Sequence, residues 1–411
     1  MQARVTGRRL GRSGVIPTCT MLALVSCLPV SELHAEVITV GIGESVTRIA
    51  EAARLARDGD IVLIKSGNYE NDVAVWTQKK LEIRGLGIRP VLLASGASAE
   101  DKAIWVFRDG QFSVDNVEFR GARVPDGNGA GIRFERGSLE VNDCVFDDNQ
   151  NAILTGNDEN AELRIRDSEF RHAPHDAARL PHLLYVGTIR HFTLEGSRLH
   201  QGFQGHLIKS RAHTSEIRYN LILDGEGGES SYELEFPNGG TAIVVGNVIG
   251  QSRTSANRVV LAYGAEGGHW KDNQLLISHN TFINEGWRPA WFARVWEDKL
   301  PQDLEVLAIN NLTVGLGVFT LALPGTHTGN QALLPGALDP ATLDLTLGAD
   351  SLFRRHVAAV DGPLRQLLTP TAEFALPRGT VTIKPPQSWV PGAFQGGDVA
   401  LKATTTVDDT P

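Results

Sequence analysis

An apolar residue followed five positions later by another, recurring along the chain, constrains this sequence more than any other feature. The pairs are Val114/Phe119, Val141/Phe146, Ile165/Phe170, Leu194/Leu199, Ile217/Ile222, Val244/Ile249 and Ile277/Phe282. Their second members lie 27, 24, 29, 23, 27 and 33 residues apart, which is the period of a solenoid coil with loops of unequal length. Side chains alternate along a strand, so an odd offset between two inward residues requires a turn between two strands. Asn220, Asn247, Asn280 and Asn311 recur near that turn. Stacked there as a ladder, their amides would satisfy backbone groups otherwise orphaned in the interior. The pattern predicts an all-β parallel β-helix over residues 36–323.

An open stack of coils needs a cover on its first cross-section. The segment Ser45 to Asp58 offers one, with Val46, Ile49, Ala50, Ala53 and Ala56 at helical spacing, Ser45 as N-cap and Asp58-Gly59-Asp60 as terminator. The repeat fades after Leu323 while proline and glycine rise, so residues 324–411 are expected to form an irregular wrapping tail, with Ala403–Pro411 disordered. The 43 glycines and 7% aromatic content suit an elongated β architecture better than a compact globule.

Residues 1–35 have the form of an export signal. Arg4, Arg8, Arg9 and Arg12 precede an apolar run from Val15 to Val30, and Leu33-His34-Ala35 supplies a cleavage site. Arg8-Arg9 also resembles a twin-arginine signal. A rival reading places a lipid on Cys27 of Leu24-Val25-Ser26-Cys27, which would be the chain's sole link to a membrane. Periplasmic or secreted location follows from either. Cleavage at Ala35 leaves 35 basic against 47 acidic residues, a net charge of −12, which argues against a nucleic-acid partner. Of the three cysteines it leaves only Cys144, so no disulfide forms within the mature chain. A monomer is expected.

Ile49-Ala50-Glu51-Ala52-Ala53, then Ala56-Arg57-Asp58-Gly59-Asp60-Ile61-Val62 and Gly67-Asn68-Tyr69, resemble the N-terminal cap and first coil of the pectate-lyase-like superfamily of right-handed parallel β-helices. With the later coils the resemblance extends over residues 37–320. It implies a fold rather than a reaction, since lyases, hydrolases, esterases and adhesins share this architecture. Gly205-His206-Leu207-Ile208-Lys209-Ser210-Arg211, followed by the Asn220 turn, is similar to the coil of alginate-lyase and chondroitinase-B-like polysaccharide lyases that carries a catalytic lysine, here Lys209. Where that family's next coil supplies an arginine followed by His-Gly, this chain has Tyr232-Glu233-Leu234-Glu235-Phe236-Pro237-Asn238-Gly239-Gly240. Arg211 replaces the missing partner only if it reaches the same cleft.

The residues themselves point to the same region. Pro181 to Gly187 repeats as Gly205 to Arg211, so His182 is expected to stack on His206, and Tyr185 on Lys209. Alternation then turns Tyr185, Lys209 and Arg211 outward, beside Glu233 and Glu235 of the next coil. Such a wall suits β-elimination from a uronic acid polymer, in which a cation neutralises the uronate, a base takes the adjacent ring proton and an acid protonates the leaving oxygen. The expected roles are Lys209 as base, Tyr185 or His206 as proton donor and Arg211 as carboxylate clamp. His182, Glu233, Glu235 and Tyr263 are the expected substrate-binding residues; Tyr263, Trp287, Trp291 and Trp296 either stack on sugar faces or pack a long loop against the coils.

Blander readings stand beside these. Lys209 with Glu233 or Glu235 would also make an ordinary cross-strand ion pair. Seven of the twelve histidines lie between His172 and His213, but their spacing matches no compact zinc motif. The loop Asp224-Gly225-Glu226-Gly227-Gly228-Glu229 offers oxygens for Ca²⁺, or is simply solvated. No cofactor is otherwise implied. The leading expectation is an exported polysaccharide lyase whose partner is an acidic polysaccharide. A glycoside hydrolase using Glu233 and Glu235 and a non-catalytic glycan-binding surface protein are the alternatives. The global negative charge opposes an anionic substrate, although local cations govern within a Debye length of about 8–10 Å.

Overall fold

The computed structural model describes residues 35–395 except 177, 178 and 349. Residues 1–34 of the expected export segment, Cys27 among them, and the tail end Ala403–Pro411 lie outside the described residues. Strands follow one another in a cycle of three, each pairing in parallel with its counterparts one coil before and after. Three sheets result, of twelve, eleven and ten strands, named here first, second and third. The chain is an all-β parallel solenoid of about 10 turns.

The apolar pairs set the stack. Val114, Val141, Ile165, Leu194, Ile217, Val244 and Ile277 are register partners in the first sheet, and Phe119 through Phe282 are register partners in the second. All are buried, and each such rung contributes roughly 1.5–3 kcal/mol relative to exposure. Phe119, Phe146 and Phe170 stack face to face, with centroids 5.0 and 4.9 Å apart, because parallel strands place like residues one strand spacing apart.

The turn between first and second sheets carries the asparagine ladder. Asn220 Nδ2 donates to Asn247 Oδ1 at 2.9 Å, Asn247 to Asn280 at 3.0 Å, Asn280 to Asn311 at 3.0 Å and Asn311 to Asn330 at 2.9 Å. Each amide also donates to a carbonyl of the preceding coil. Towards the N-terminus, Ser197, Ser168 and Cys144 take the same turn position: Ser197 N donates to Asn220 Oδ1, Ser168 N to the Ser197 hydroxyl and Cys144 N to the Ser168 hydroxyl. The residue before each rung has φ > 0, including Tyr219 and His279 at 54° and 51°, a conformation that costs about 1–3 kcal/mol in a non-glycine residue and persists where neighbours over-determine it.

The cap differs from the sequence expectation. The helix spans Ile49–Leu55, and Ser45 is not its N-cap. Asp72 instead accepts from Ile49 N at 2.7 Å and Ala50 N at 2.9 Å, while Gln78 Nε2 donates to Ala53 O and Ala56 O at the other end. Two polar residues flanking the buried strand Ala74–Trp76 therefore hold both helix ends, and Val46 is left to bridge Val40.

Coil strands continue to Thr326–Thr328 and Gln331–Leu333. Beyond them the chain runs back along the stack. Leu338, Leu347 and Phe374 pack on the outer side of the second sheet, and Leu368 and Ala372 on that of the first. Both clusters leave the outer face of the third sheet to other contacts.

Candidate functional site

Register on the third sheet places one outward row of side chains along the solenoid: Arg133, Leu154, Tyr185, Lys209, Glu235, Ala262 and Arg294. The inward neighbours Leu184, Ile208 and Leu234 fill the core, which fixes the outward direction by alternation. Tyr185 is the register partner of Lys209, as the 24-residue repeat predicts. His182 and His206 stack with ring centroids 4.8 Å apart. Tyr232 continues that stack at 4.9 Å from His206.

Lys209 is 8% exposed and its Nζ lies 3.1 Å from Glu235 Oε2 and 2.7 Å from Glu266 Oε1. The second oxygen of Glu266 is 2.7 Å from Arg211 Nη1. Arg211 Nε donates to the Tyr185 hydroxyl at 3.1 Å, its Nη1 donates to Asn238 Oδ1, and the guanidinium carbon sits 5.7 Å from the Tyr185 ring centroid. On the other side of Lys209, His206 Nδ1 is 3.1 Å from Glu235 Oε2, and His206 N donates to His182 Nδ1 at 2.9 Å.

The electrostatics follow from these contacts. Burial alone would raise the Glu235 carboxyl, but His206 and Lys209 outweigh it and hold it below the usual carboxylate range. Glu266 is exposed on one side, yet Arg211 and Lys209 outweigh its partial desolvation and bring it down to about 2. Burial pushes His182 well below the usual histidine value, with help from His206, Lys209 and Arg211. A neutral His182 ring suits its acceptor role towards His206 N.

Glu266 was not legible as a site residue, and neither were Asn238 nor Trp270 in their site contacts. Glu266 sits on the loop after strand Val259–Tyr263. Its backbone N bonds Pro237 O at 2.9 Å, Asn238 Nδ2 donates to Gly267 O, and Lys299 Nζ donates to Ala265 O. Gly264 has φ +78°, and a Cβ there would meet Leu300 at 2.6 Å. Trp270 Nε1 donates to Arg211 O at 3.0 Å. The one available signal was the long interval of 33 residues between Ile249 and Phe282, which demands extra loop in that coil.

Two expected groove residues are corrected. Tyr263 is 0% exposed; it points into the core, its hydroxyl donates to Gly240 O at 2.5 Å, and it offers no face to a sugar. Glu233 is also 0% exposed, and its carboxyl accepts from Ser230 at 2.9 Å rather than facing Lys209. The loop acid Asp224 is likewise turned inward, accepting from Gly202 N and Ser230 N. Among the described residues no group of three or more His, Cys, Asp or Glu side chains converges on a position for a metal ion. The other clustered histidines have protein partners: Asp147 for His172, Phe203 for His175, Glu216 for His191, Glu169 for His200 and Trp270 for His213.

A hollow of about 590 Å³ adjoins Tyr185 on the N-terminal side and is lined in part by Arg133, Asn151, Arg179 and His182. A somewhat larger one, about 650 Å³, lies between the second sheet and the tail and includes Arg198, Glu226 and Arg253, away from this cluster. Among the described residues no helix is long and apolar enough to cross a membrane.

No family model and no curated protein sequence matches the chain. Among solved structures, the crystal structure of pectate lyase Pel9A superposes with a TM-score of 0.53 at 10% sequence identity, covering 88% of this chain and 96% of that one. At that identity the likeness is one of fold, and by fold this chain is a pectate-lyase-like right-handed parallel β-helix.

Proposed function

We propose that the outer face of the third sheet binds an acidic polysaccharide and that the protein cleaves it by β-elimination next to a uronate. The observation that carries this reading is the Glu266 carboxylate, whose two oxygens are shared between Lys209 and Arg211 at 2.7 Å each. A pair of cations that grips one carboxylate in this way is shaped to grip another. A uronate displacing the Glu266 side chain would be neutralised by the same two groups, which acidifies the adjacent ring proton.

In this scheme Lys209 joins the clamp rather than serving as base, because its ammonium already bonds two carboxylates. Tyr185, acting as a phenolate, is the candidate base: its oxygen accepts from Arg211 Nε at 3.1 Å, which holds it beside the clamp. Transfer of the ring proton to that oxygen, cleavage of the bond to the leaving oxygen and formation of the ring double bond are one electron-pair movement. His206, held by Glu235, is the candidate to return a proton to the leaving oxygen. The hydrolase alternative loses support because Glu233 is sealed inside the coil. Export through residues 1–35 belongs to the same proposal, since a polysaccharide of this kind is met outside the cytoplasm.

The test is ultraviolet absorbance of the unsaturated uronate while the protein is incubated with a panel of acidic polysaccharides. Lys209→Ala should abolish the rise, and Tyr185→Phe should slow it at least about 100-fold. New reducing ends without absorbance would instead indicate hydrolysis. Glycan binding without either product, surviving Lys209→Ala, would indicate a non-catalytic surface protein.

A further inference from the structure

We infer that strand Ala290–Val295 with its flanking loop is a second anchor for an acidic sugar, three strands along the sheet from Lys209. This rests on the reading of the third sheet as an acidic-glycan surface, and it names where the far end of that glycan is held.

Arg294 occupies the same outward row as Lys209, with Glu235 and Ala262 between them. Three strand steps make about 14 Å. Arg294 has its guanidinium carbon 5.2 Å from the Trp291 ring centroid and 4.5 Å from that of Trp296. Three cations nearer the clamp are neutralised: Arg133 by Glu135, Lys209 by Glu235 and Glu266, Arg211 by Glu266. Among the described residues, no carboxylate lies within ion-pair distance of Arg294, Arg288 or Arg258. Arg258, Arg288 and Arg294 thus bring three cations without carboxylate partners to neighbouring coils.

Aromatic rings accompany them. Trp291 is 38% exposed and Trp287 is 82% exposed. Trp287, Arg258 and Arg288 share a hollow of about 340 Å³ with Asn257 and Asn284. A sugar ring presents apolar C–H faces to an indole, and its carboxylate or sulfate matches a guanidinium fork. Contact with both indoles pre-organises the Arg294 fork, and no carboxylate competes for its donors. The rise of one pyranose along an extended glycan is close to that of one coil, so a glycan with a uronate between Lys209 and Arg211 places a sugar three units further along at Arg294. Glu235 does not repel it, because His206 and Lys209 already bond that carboxylate.

The experiment is calorimetric binding of uronic acid oligosaccharides, a trimer and a hexamer, to the full chain and to Arg294→Ala and Trp291→Ala, with circular dichroism as the folding control. Arg294→Lys serves where either alanine variant misfolds, since it keeps the charge but not the fork. The expected result is a hexamer bound about tenfold more tightly than the trimer, roughly 1.4 kcal/mol. Each variant should lose that advantage and keep its affinity for the trimer. Equal affinity for both lengths, or variants that retain the full advantage, would overturn the anchor and leave the Lys209 clamp standing. A neutral hexamer bound as tightly as the acidic one would overturn the acidic specificity of the anchor. Absence of binding at both lengths would overturn the clamp and the anchor together.

Discussion

Glu266 Oε1 lies 2.7 Å from Lys209 Nζ across 57 residues of sequence. The carboxylate arrives on a loop pinned at Pro237, Asn238 and Lys299, so its backbone is held while its side chain, 42% exposed, retains room to swing away. Glu266→Gln removes the internal competitor's charge. It should tighten binding of an acidic oligosaccharide by about tenfold, or about 1.4 kcal/mol, measured by calorimetry. Unchanged or weaker affinity would count against the clamp. Because Arg211 and Lys209 hold Glu266 down to about 2, mild acidification should not mimic the substitution.

The polar corner inside the coil makes an opposite pH prediction. Burial raises Asp224 to about 6, and it holds Glu233 well above the usual carboxylate range, with Asp224 adding to it. A carboxyl whose folded value exceeds its unfolded value of about 4 binds more protons in the folded state between the two. Its contribution therefore weakens stability as pH rises from about 4 through about 6 and beyond. Glu233→Gln keeps the acceptor for Ser230 without the ionisation. In urea melts it should gain stability relative to the native chain at mildly alkaline pH and little at pH about 4; a parallel pair of pH curves would refute the assignment.

The ladder should be most sensitive at its centre. Asn247 donates to Ile217 O and Asn280 Oδ1 and accepts from Asn220, all in the interior. Asn247→Ala leaves several buried groups without partners and should cost about 3 kcal/mol. Asn330→Ala, at the less buried end, should cost about 1 kcal/mol. Denaturant unfolding of both variants checks the order.

Helix capping gives a paired test. Asp72→Ala strips the acceptor from Ile49 N and Ala50 N and should destabilise by about 1–2 kcal/mol. Ser45→Ala should lie within about 0.5 kcal/mol of the native chain. Equal losses at both positions would restore Ser45 as the cap.

How much was legible follows the reach of each signal. A parallel stack repeats its inward residues, so pairs such as Val244/Ile249 exposed the coil, and the doubled segment around His182 and His206 exposed the register that sets Tyr185 beside Lys209. Alternation alone then failed at strand ends. Glu233 shares the parity of Glu235, but it enters its strand at a corner where Ser230 draws it inward. Tyr263 follows a loop of unequal length, so its parity could not be counted from the preceding coil. Ser45 matched a local capping pattern, yet the acceptor came from Asp72 in the next coil. Glu266 had no repeat partner at all, and only the length of its coil hinted at a loop able to reach Arg211.

The returning tail has a mechanical consequence. Thr371 bonds Tyr219, Leu368 O accepts from Ser278, and Arg378 reaches Asp143, so one strip of chain is tied to coils far apart in the stack. An array held only by nearest neighbours can fray from its last coil inward. Here the terminal coil cannot peel without detaching a strip that also grips the middle, so the tail turns a row of separable layers into one unit that melts together.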